Sequence, residues 1–211
     1  MIMGMSPVRS LLISGLLIAL LLLCAGCTQS TSAGKTESTT LSSTATAAPT
    51  VSSLSGKNVR LETTMGNITI ALDPDMPITA GNFETLVQKG YYNGVIFHRV
   101  INGFMIQGGD PTGTGRGGPG YTIQDEFTSH NKNGRGAVAM ANTGQPNSGG
   151  SQFFINLVDN SALQGNTFDN NYPVFGNVID GMDVVDAIGK VQTGTNNRPL
   201  QNVTIIRAVM V

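Results

Sequence analysis

Short runs of β-strand character, separated by glycine, asparagine and proline, constrain the fold of this chain more than any other sequence feature. The first two runs, residues 59–63 and 67–72, alternate apolar and polar side chains around a Thr-Met-Gly break, which predicts a β-hairpin. Further runs of this kind cover residues 95–101, 104–107, 137–142, 152–157, 173–178 and 203–211. So many short strands favour an antiparallel barrel or sandwich over a parallel α/β sheet.

Two segments have the pattern of an α-helix. Pro77 suits a first helical turn, the apolar residues after it, including Phe83, fall on one face, and Gly90 is a plausible end. A second, shorter helix is predicted over residues 182–188. The predicted fold class is therefore mainly β, and residues 57–211 are long enough to bury roughly two-thirds of their extended-chain surface.

Charge and cysteine content exclude several classes of function. The net charge is −1 and the pI about 6.1, so the chain lacks the basic stripe that neutralises nucleic-acid phosphates. Both cysteines, Cys24 and Cys27, lie near the N-terminus, which rules out disulfides and cysteine chemistry in the remainder. The two histidines lie far apart without a metal-binding spacing, so neither a metal site nor a cofactor is predicted.

The first 27 residues have the layout of an export signal. Arg9 precedes an apolar run over residues 11–23, which falls short of the roughly 20 residues of a membrane-spanning helix. Residues 24–27, Cys-Ala-Gly-Cys, resemble a lipoprotein lipobox and make Cys27 the predicted lipidation site. An uncleaved anchor is the alternative. Both interpretations place the rest of the chain outside the cytoplasm, tethered to the cell membrane.

Residues 28–56 are dominated by serine, threonine and alanine and show no helical or strand periodicity. Such a composition cannot bury enough apolar surface to order itself, which predicts a disordered linker. The reach of a flexible chain of this length is about 30 Å. We expect this segment to act as a tether for the domain that follows.

Four stretches of the remainder carry longer motifs. They are Phe-His-Arg-Val-Ile-Asn-Gly-Phe-Met-Ile-Gln-Gly-Gly-Asp at 97–110, a glycine-rich stretch at 113–127, Met-Ala-Asn running on to Gly-Gly-Ser-Gln-Phe-Phe-Ile-Asn at 140–156, and Val-Phe-Gly with Gly-Met-Asp-Val-Val at 174–185. In this order they resemble the cyclophilin family of peptidyl-prolyl cis/trans isomerases. The resemblance implies an eight-stranded antiparallel closed barrel capped by two α-helices. It also implies cofactor-free isomerase activity on proline-containing polypeptides.

The same resemblance assigns catalysis to Arg99. Strand alternation puts Arg99 on the face of Phe97 and Ile101, where a charge is costly unless it has a partner or meets a ligand. Further substrate-binding residues are implied for an apolar proline pocket and its polar edge. The implied pocket is lined by Phe104, Met105, Phe154 and Leu163. The residues implied to bind the substrate backbone or to orient Arg99 are Gln107, Asn142 and Gln152. Ala141 and Tyr172 complete the set, and many relatives have histidine at the position of Tyr172.

One departure from the family concerns inhibitor binding. Cyclosporin-sensitive members carry tryptophan at the position of Ala162, just before Leu163. A missing indole removes an apolar wall and an N–H donor from the pocket rim. We therefore expect weak cyclosporin binding, with turnover of proline peptides preserved.

Other functions have weaker support. Residues 113–118 match the dinucleotide pattern G-x-G-x-x-G, but Pro119 follows where a helix should begin, which indicates a surface loop. Ser151 lacks the nucleophile elbow of a hydrolase, and His98 falls opposite Arg99, as a structural histidine would. The serious alternative is a non-catalytic module that binds proline-containing segments at the cell surface. We expect a monomer in either case.

Overall fold

The computed structural model describes residues 56–211, except for the side chains of Gln164 and Asn166. The predicted signal segment at residues 1–27, with Cys27, lies outside the described residues. So does the predicted linker at residues 28–56, apart from its last residue. The domain boundaries within this N-terminal part therefore stay predictions.

Eight antiparallel strands form one sheet. In chain order they are β1 (Asn58–Thr63), β2 (Gly66–Leu72), β3 (Arg99–Ile101), β4 (Met105–Gly108), β5 (Ala137–Met140), β6 (Phe153–Asn156), β7 (Val174–Asp180) and β8 (Ile205–Met210). Their order across the sheet is β3-β4-β6-β5-β7-β2-β1-β8. The predicted hairpin is confirmed, because β1 pairs with β2 from Asn58–Ala71 to Thr63–Gly66. Each of the other six predicted runs overlaps one observed strand.

The sheet is an open half-barrel, so the prediction of a closed barrel is wrong. Its two edge strands, β3 and β8, share no ladder. Within residues 56–211, the segments beside them are joined by one isolated bridge, between Ile96 and Thr204, and by backbone bonds such as Phe97 N–H to the Val203 carbonyl (2.9 Å). The predicted strand at 95–101 is shortened to Arg99–Ile101, because residues 95–98 take part in an isolated bridge, Ile96 to Thr204, rather than in a ladder.

In the described part of the chain, four α-helices and one 3-10 helix accompany the sheet. They are α1 (Thr79–Gln88), α2 (Leu163–Asn166), α3 (Phe168–Asn171), α4 (Met182–Gly189) and the 3-10 turn Thr195–Asn197. The two predicted helices are confirmed as α1 and α4. The single-turn helices α2 and α3 were not predicted from the sequence, because four residues are too few to show helical periodicity. Among residues 56–211, no helix has the length and apolar character needed to cross a membrane.

The main core lies between α1 and one face of the sheet. Phe83 of α1 is fully buried, and its ring lies 5.0–5.3 Å from the rings of Tyr92, Phe153 and Phe175. Side chains alternate along a strand, so β4, β5 and β6 each send residues to both faces. Ile106, Val138 and Ile155 join the main core, whereas Met105, Ala139 and Phe154 form part of a second apolar cluster on the opposite face. That second face carries the candidate site.

Candidate active site

Antiparallel pairing aligns one residue from each of four strands. Arg99 of β3 is opposite Gln107 of β4, Gln107 is opposite Phe154 of β6, and Phe154 is opposite Ala139 of β5. Residues directly opposite one another share a sheet face and have adjacent Cβ atoms. Strand register therefore brings a cation, an amide and an aromatic ring together.

A cavity of about 210 Å³ opens on this face. Met105 and Phe154 are almost fully buried, as is Phe168 of α3, and the ring of Phe168 lies 5.9 Å from Phe104 and 6.0 Å from Phe154. Arg99, Gln107 and Asn142 supply polar groups. The complete lining is Arg99, Phe104, Met105, Gln107, Ala141, Asn142, Phe154, Phe168 and Tyr172. The cavity is thus an apolar hole with a polar edge.

Most of the site residues predicted from the sequence line this cavity, but two do not. Gln152 lies behind Gln107 and contacts it, whereas Leu163 in α2 is 42% exposed and is not part of the lining. Phe168 lines the cavity and was not predicted from the sequence. Its signal was the lone aromatic ring in the otherwise polar stretch 164–171.

Arg99 is held by a chain of side-chain amides. Its Nη1 donates to Gln107 Oε1 (3.3 Å), and Gln107 Nε2 donates to Gln152 Oε1 (3.0 Å). Gln152 Nε2 in turn donates to the carbonyls of Gly115 (3.1 Å) and Gly117 (2.9 Å). Among residues 56–211, Arg99 has no carboxylate partner, so its full charge and its remaining N–H groups are available to a ligand.

Arg99 shares its sheet face with Ile101, as predicted, but not with Phe97. Ile101 packs against the second cluster, on the side of Arg99, but Phe97 is fully buried in the main core beside Phe153. The reason is that β3 begins at Arg99, so alternation does not extend back to Phe97. Arg99 itself is half-buried at the edge of the sheet.

The side chain of Asn142 is occupied within the protein. Its Nδ2 donates to the Asn171 carbonyl (2.7 Å), and its Oδ1 accepts from the Gly144 N–H (3.0 Å). Its backbone N–H and carbonyl have no hydrogen-bond partner in the described part of the chain. Asn142 therefore offers its main chain, rather than its side chain, to a bound polypeptide.

Two further hollows continue the cavity on either side. One of about 390 Å³ shares Gln107, Ala141 and Asn142 with it, and another of about 240 Å³ shares Asn142 and Tyr172. The three hollows form one surface groove with Asn142 at its centre. A groove of this kind suits an extended peptide whose side chains occupy successive hollows.

Two buried ionisable groups lie beside the groove without lining the cavity. Burial lowers the pKa of His98; Asp110 opposes this shift, while Arg198 and Arg99 reinforce it. Burial would raise the pKa of Asp110, but hydrogen bonds from Thr112, Gly117 and other groups outweigh that effect and hold it well below its usual range. At neutral pH His98 is therefore uncharged and Asp110 is a carboxylate.

One surface cluster has metal-ligand character. Ligand atoms of Asp73, Asp75 and His130 lie within 4.8 Å of one another, a grouping that sequence spacing did not reveal. Hydrogen bonds already join them, since His130 Nε2 lies 3.0 Å from Asp73 Oδ2 and the Asp75 N–H donates to Asp73 Oδ1 (2.9 Å). None of the three lines the groove.

Comparisons with known proteins agree on the family. The family model for cyclophilin-type peptidyl-prolyl cis-trans isomerases matches residues 58–210. The peptidyl-prolyl cis-trans isomerase-like 1 protein of Emericella nidulans is 46% identical to this chain, and the alignment covers 73% of this chain and 94% of the fungal protein. The protein of the same name from Homo sapiens is also 46% identical, and the alignment covers 72% of this chain and 90% of the human protein. A Cryptosporidium parvum cyclophilin-type isomerase, solved in the presence of the dipeptide Ala-Pro, aligns with a TM-score of 0.67 at 36% identity, covering 73% of this chain and 98% of that one. The chain therefore belongs to the cyclophilin family and is a peptidyl-prolyl cis-trans isomerase.

Proposed function

We propose that this isomerase accelerates rotation of X-Pro bonds in exported polypeptides, with Arg99 donating a hydrogen bond to the prolyl amide over an apolar proline pocket. The peptide bond resists rotation by about 18–20 kcal/mol because the nitrogen lone pair is delocalised into the carbonyl. No bond has to be broken. A catalyst needs a donor for the released lone pair, a grip on the ring and a hold on the flanking backbone.

The observation that carries the proposal is an arginine at the edge of an apolar cavity, with no carboxylate partner among residues 56–211. Twisting the X-Pro bond returns the lone pair to nitrogen and makes it a better acceptor for the Arg99 guanidinium. This hydrogen bond is therefore stronger in the twisted state than in either planar state, which is the condition for catalysis. The apolar walls exclude water and strengthen the interaction.

The rest of the site accounts for substrate binding. A proline ring has three methylene groups, and burying them against Met105, Phe154 and Phe168 contributes about 2.4 kcal/mol at roughly 0.8 kcal/mol for each group. The free backbone groups of Asn142 can pair with the substrate main chain beside the proline. One side of the rotating bond is then fixed while the other turns.

The hydrogen bond from Arg99 is too weak to lower the rotation barrier by the required amount on its own. Shortening the exchange time from about 100 s to about 1 ms requires roughly 7 kcal/mol. One charge-assisted hydrogen bond contributes only about 1.5–3 kcal/mol. The remainder has to come from desolvating the amide and from fixing the backbone in the groove.

The cellular setting is proposed from the N-terminus. A signal-like segment ending in Cys27, followed by a Ser/Thr-rich stretch, supports lipidation at Cys27 and a tethered enzyme outside the cytoplasm. Its substrates are then exported proteins. We further propose that the enzyme acts as a monomer and binds cyclosporin weakly, because Ala162 supplies no indole at the pocket rim.

The test is cis/trans exchange of an Ala-Pro peptide, measured by NMR exchange spectroscopy with the full chain and with Arg99→Ala. We expect the variant to lose at least about 100-fold in rate while keeping its fold, because it loses the donor to the twisted amide. Arg135→Ala is the matched control, since this arginine pairs with Asp186 away from the groove.

The outcomes separate the alternatives. A folded Arg99→Ala variant with near-normal turnover would remove Arg99 from the mechanism. Peptide binding by the unmodified chain without faster exchange would instead support the non-catalytic binding module.

A further inference from the structure

Asp110 is a fully buried carboxylate that lines none of the three hollows of the groove. Its Oδ1 accepts hydrogen bonds from the backbone N–H and the hydroxyl of Thr112, both at 2.7 Å. Its Oδ2 accepts from the backbone N–H groups of Thr114 (3.0 Å), Gly115 (2.7 Å) and Gly117 (3.0 Å). A single side chain thus organises the loop of residues 112–117.

The loop wraps tightly around this carboxylate. A Cβ atom at Gly117 would lie 2.0 Å from Asp110 Oδ1, so only glycine fits there. Gly115 has a φ of +81°, in the left-handed region that favours glycine. With their N–H groups bonded to Asp110, Gly115 and Gly117 present their carbonyls to Gln152.

These two carbonyls set the direction of the amide chain that leads to Arg99. A carbonyl oxygen can only accept, so Gln152 has to turn its nitrogen to the loop and its oxygen to Gln107. Gln107 then donates from its nitrogen and presents its oxygen to Arg99. If both amides were reversed, an NH₂ group would face the guanidinium, and neither could accept a hydrogen bond.

We propose that Asp110 is a positioning residue for isomerisation, which shapes the loop so that the Gly115 and Gly117 carbonyls orient Gln152, Gln107 and finally Arg99. The inference rests on the proposed role of Arg99 in catalysis. Asp110 touches no substrate and acts only through the loop and the two glutamines. The groove walls formed by Met105, Phe154 and Phe168 do not depend on it.

Asp110→Asn in the full chain tests the proposal. The new NH₂ group would face N–H donors of the loop, which displaces the carbonyls that hold Gln152. We expect kcat to fall by about 10- to 100-fold, the effect of misplacing a catalytic group, with KM changed by less than about threefold. The NMR signals of the Arg99 guanidinium and of the Gln107 and Gln152 amides should shift, a response that a merely structural role would not give.

Gly117→Ala is a second variant, which keeps the carboxylate but forces the loop away from it. We expect the same loss of kcat and the same shifts, and this variant decides the question if Asp110→Asn does not fold. The control is Asp186→Asn, which removes a partly exposed carboxylate paired with Arg135 and should leave kcat unchanged.

Comparison with Arg99→Ala separates the two proposals. If Arg99→Ala abolishes turnover while folded Asp110→Asn and Gly117→Ala keep kcat within about twofold, the positioning role fails and the proposed mechanism stands. The positioning role also fails if both loop variants lower only the melting temperature and leave the Arg99 signal in place. If Arg99→Ala keeps its turnover, the mechanism itself fails.

Discussion

Partial burial of the Arg99 charge costs free energy. Arg99 is half-buried and lines the cavity together with aromatic residues, and in the described part of the chain its side chain hydrogen-bonds to the neutral Gln107. A carboxylate partner would stabilise the charge but would also occupy the donors that a substrate amide needs. A neutral amide orients the guanidinium and leaves it free to bind.

Ala162 is the residue to which we attribute weak cyclosporin binding. It is exposed and directly precedes α2, so a larger side chain there meets little steric resistance. We expect Ala162→Trp to bind cyclosporin at least about tenfold more tightly than the unmodified chain, because an indole adds apolar contact and an N–H donor. Titration calorimetry measures both affinities.

The matched control places an indole on another exposed site, Ile179→Trp. It should leave the affinity unchanged. Nanomolar binding by the unmodified chain, or no gain in Ala162→Trp, would contradict the prediction.

The single-turn helices α2 and α3 help to form the wall of the cavity. The segment holding α2 and α3 contributes Phe168, whose ring lies 4.7 Å from Tyr172 and completes the aromatic wall of the cavity. Neither turn is stable by itself, because so short a helix gains few backbone bonds for the residues that it orders. Packing against β6 and the residues before β7 therefore fixes this wall.

Phe168→Leu tests the wall. The change removes aromatic contacts and loosens the pocket, so we expect kcat/KM for an Ala-Pro peptide to fall about tenfold, as for a lost apolar contact in a specificity pocket. Steady-state assays over a range of peptide concentrations measure the loss.

Phe175→Leu is the control, because Phe175 is buried in the main core and lines no part of the groove. Both variants should lose about 1–2 kcal/mol of unfolding free energy. Equal losses of kcat/KM in the two variants would mean that Phe168 acts only through stability.

The whole molecule separates stability from function by using two faces of one sheet. The main core fills one face of the half-barrel beneath α1, while the groove uses the other face of β3, β4 and β6, together with the residues that follow β5. The groove residues can thus serve recognition while the main core holds the strands in register. The first strand, β1, begins at Asn58, two residues after the end of the predicted linker, and pairs with β2 and β8.

The tether itself is tested by Cys27→Ser. In a bacterium that processes lipoproteins, we expect the full chain to sediment with membranes and to incorporate labelled fatty acid, since each buried methylene group contributes about 0.8 kcal/mol to anchoring. The variant should lose both properties and keep its turnover. Cys24→Ser, which retains the proposed lipid acceptor, is the control, and membrane-bound Cys27→Ser without label would indicate an uncleaved anchor.

The secondary structure and most of the site residues of this protein could be predicted from its sequence. Short runs of β-strand character predicted all eight strands, helical spacing predicted α1 and α4, and the long motifs contained Arg99 and most of the residues that line the cavity. These features depend on neighbours in the chain, and so they leave a mark in its order. The family followed from the same motifs.

The contacts between these strands, helices and side chains became clear only from the three-dimensional structure. The open edge between β3 and β8, the entry of Phe168 in place of Leu163, and the path from Asp110 through Gln152 to Arg99 all join residues distant in sequence. Strand order and amide direction depend on pairing and on which donors and acceptors remain free, and no local pattern records either. The physical reason is that hydrogen bonds and packing are satisfied across the whole domain at once.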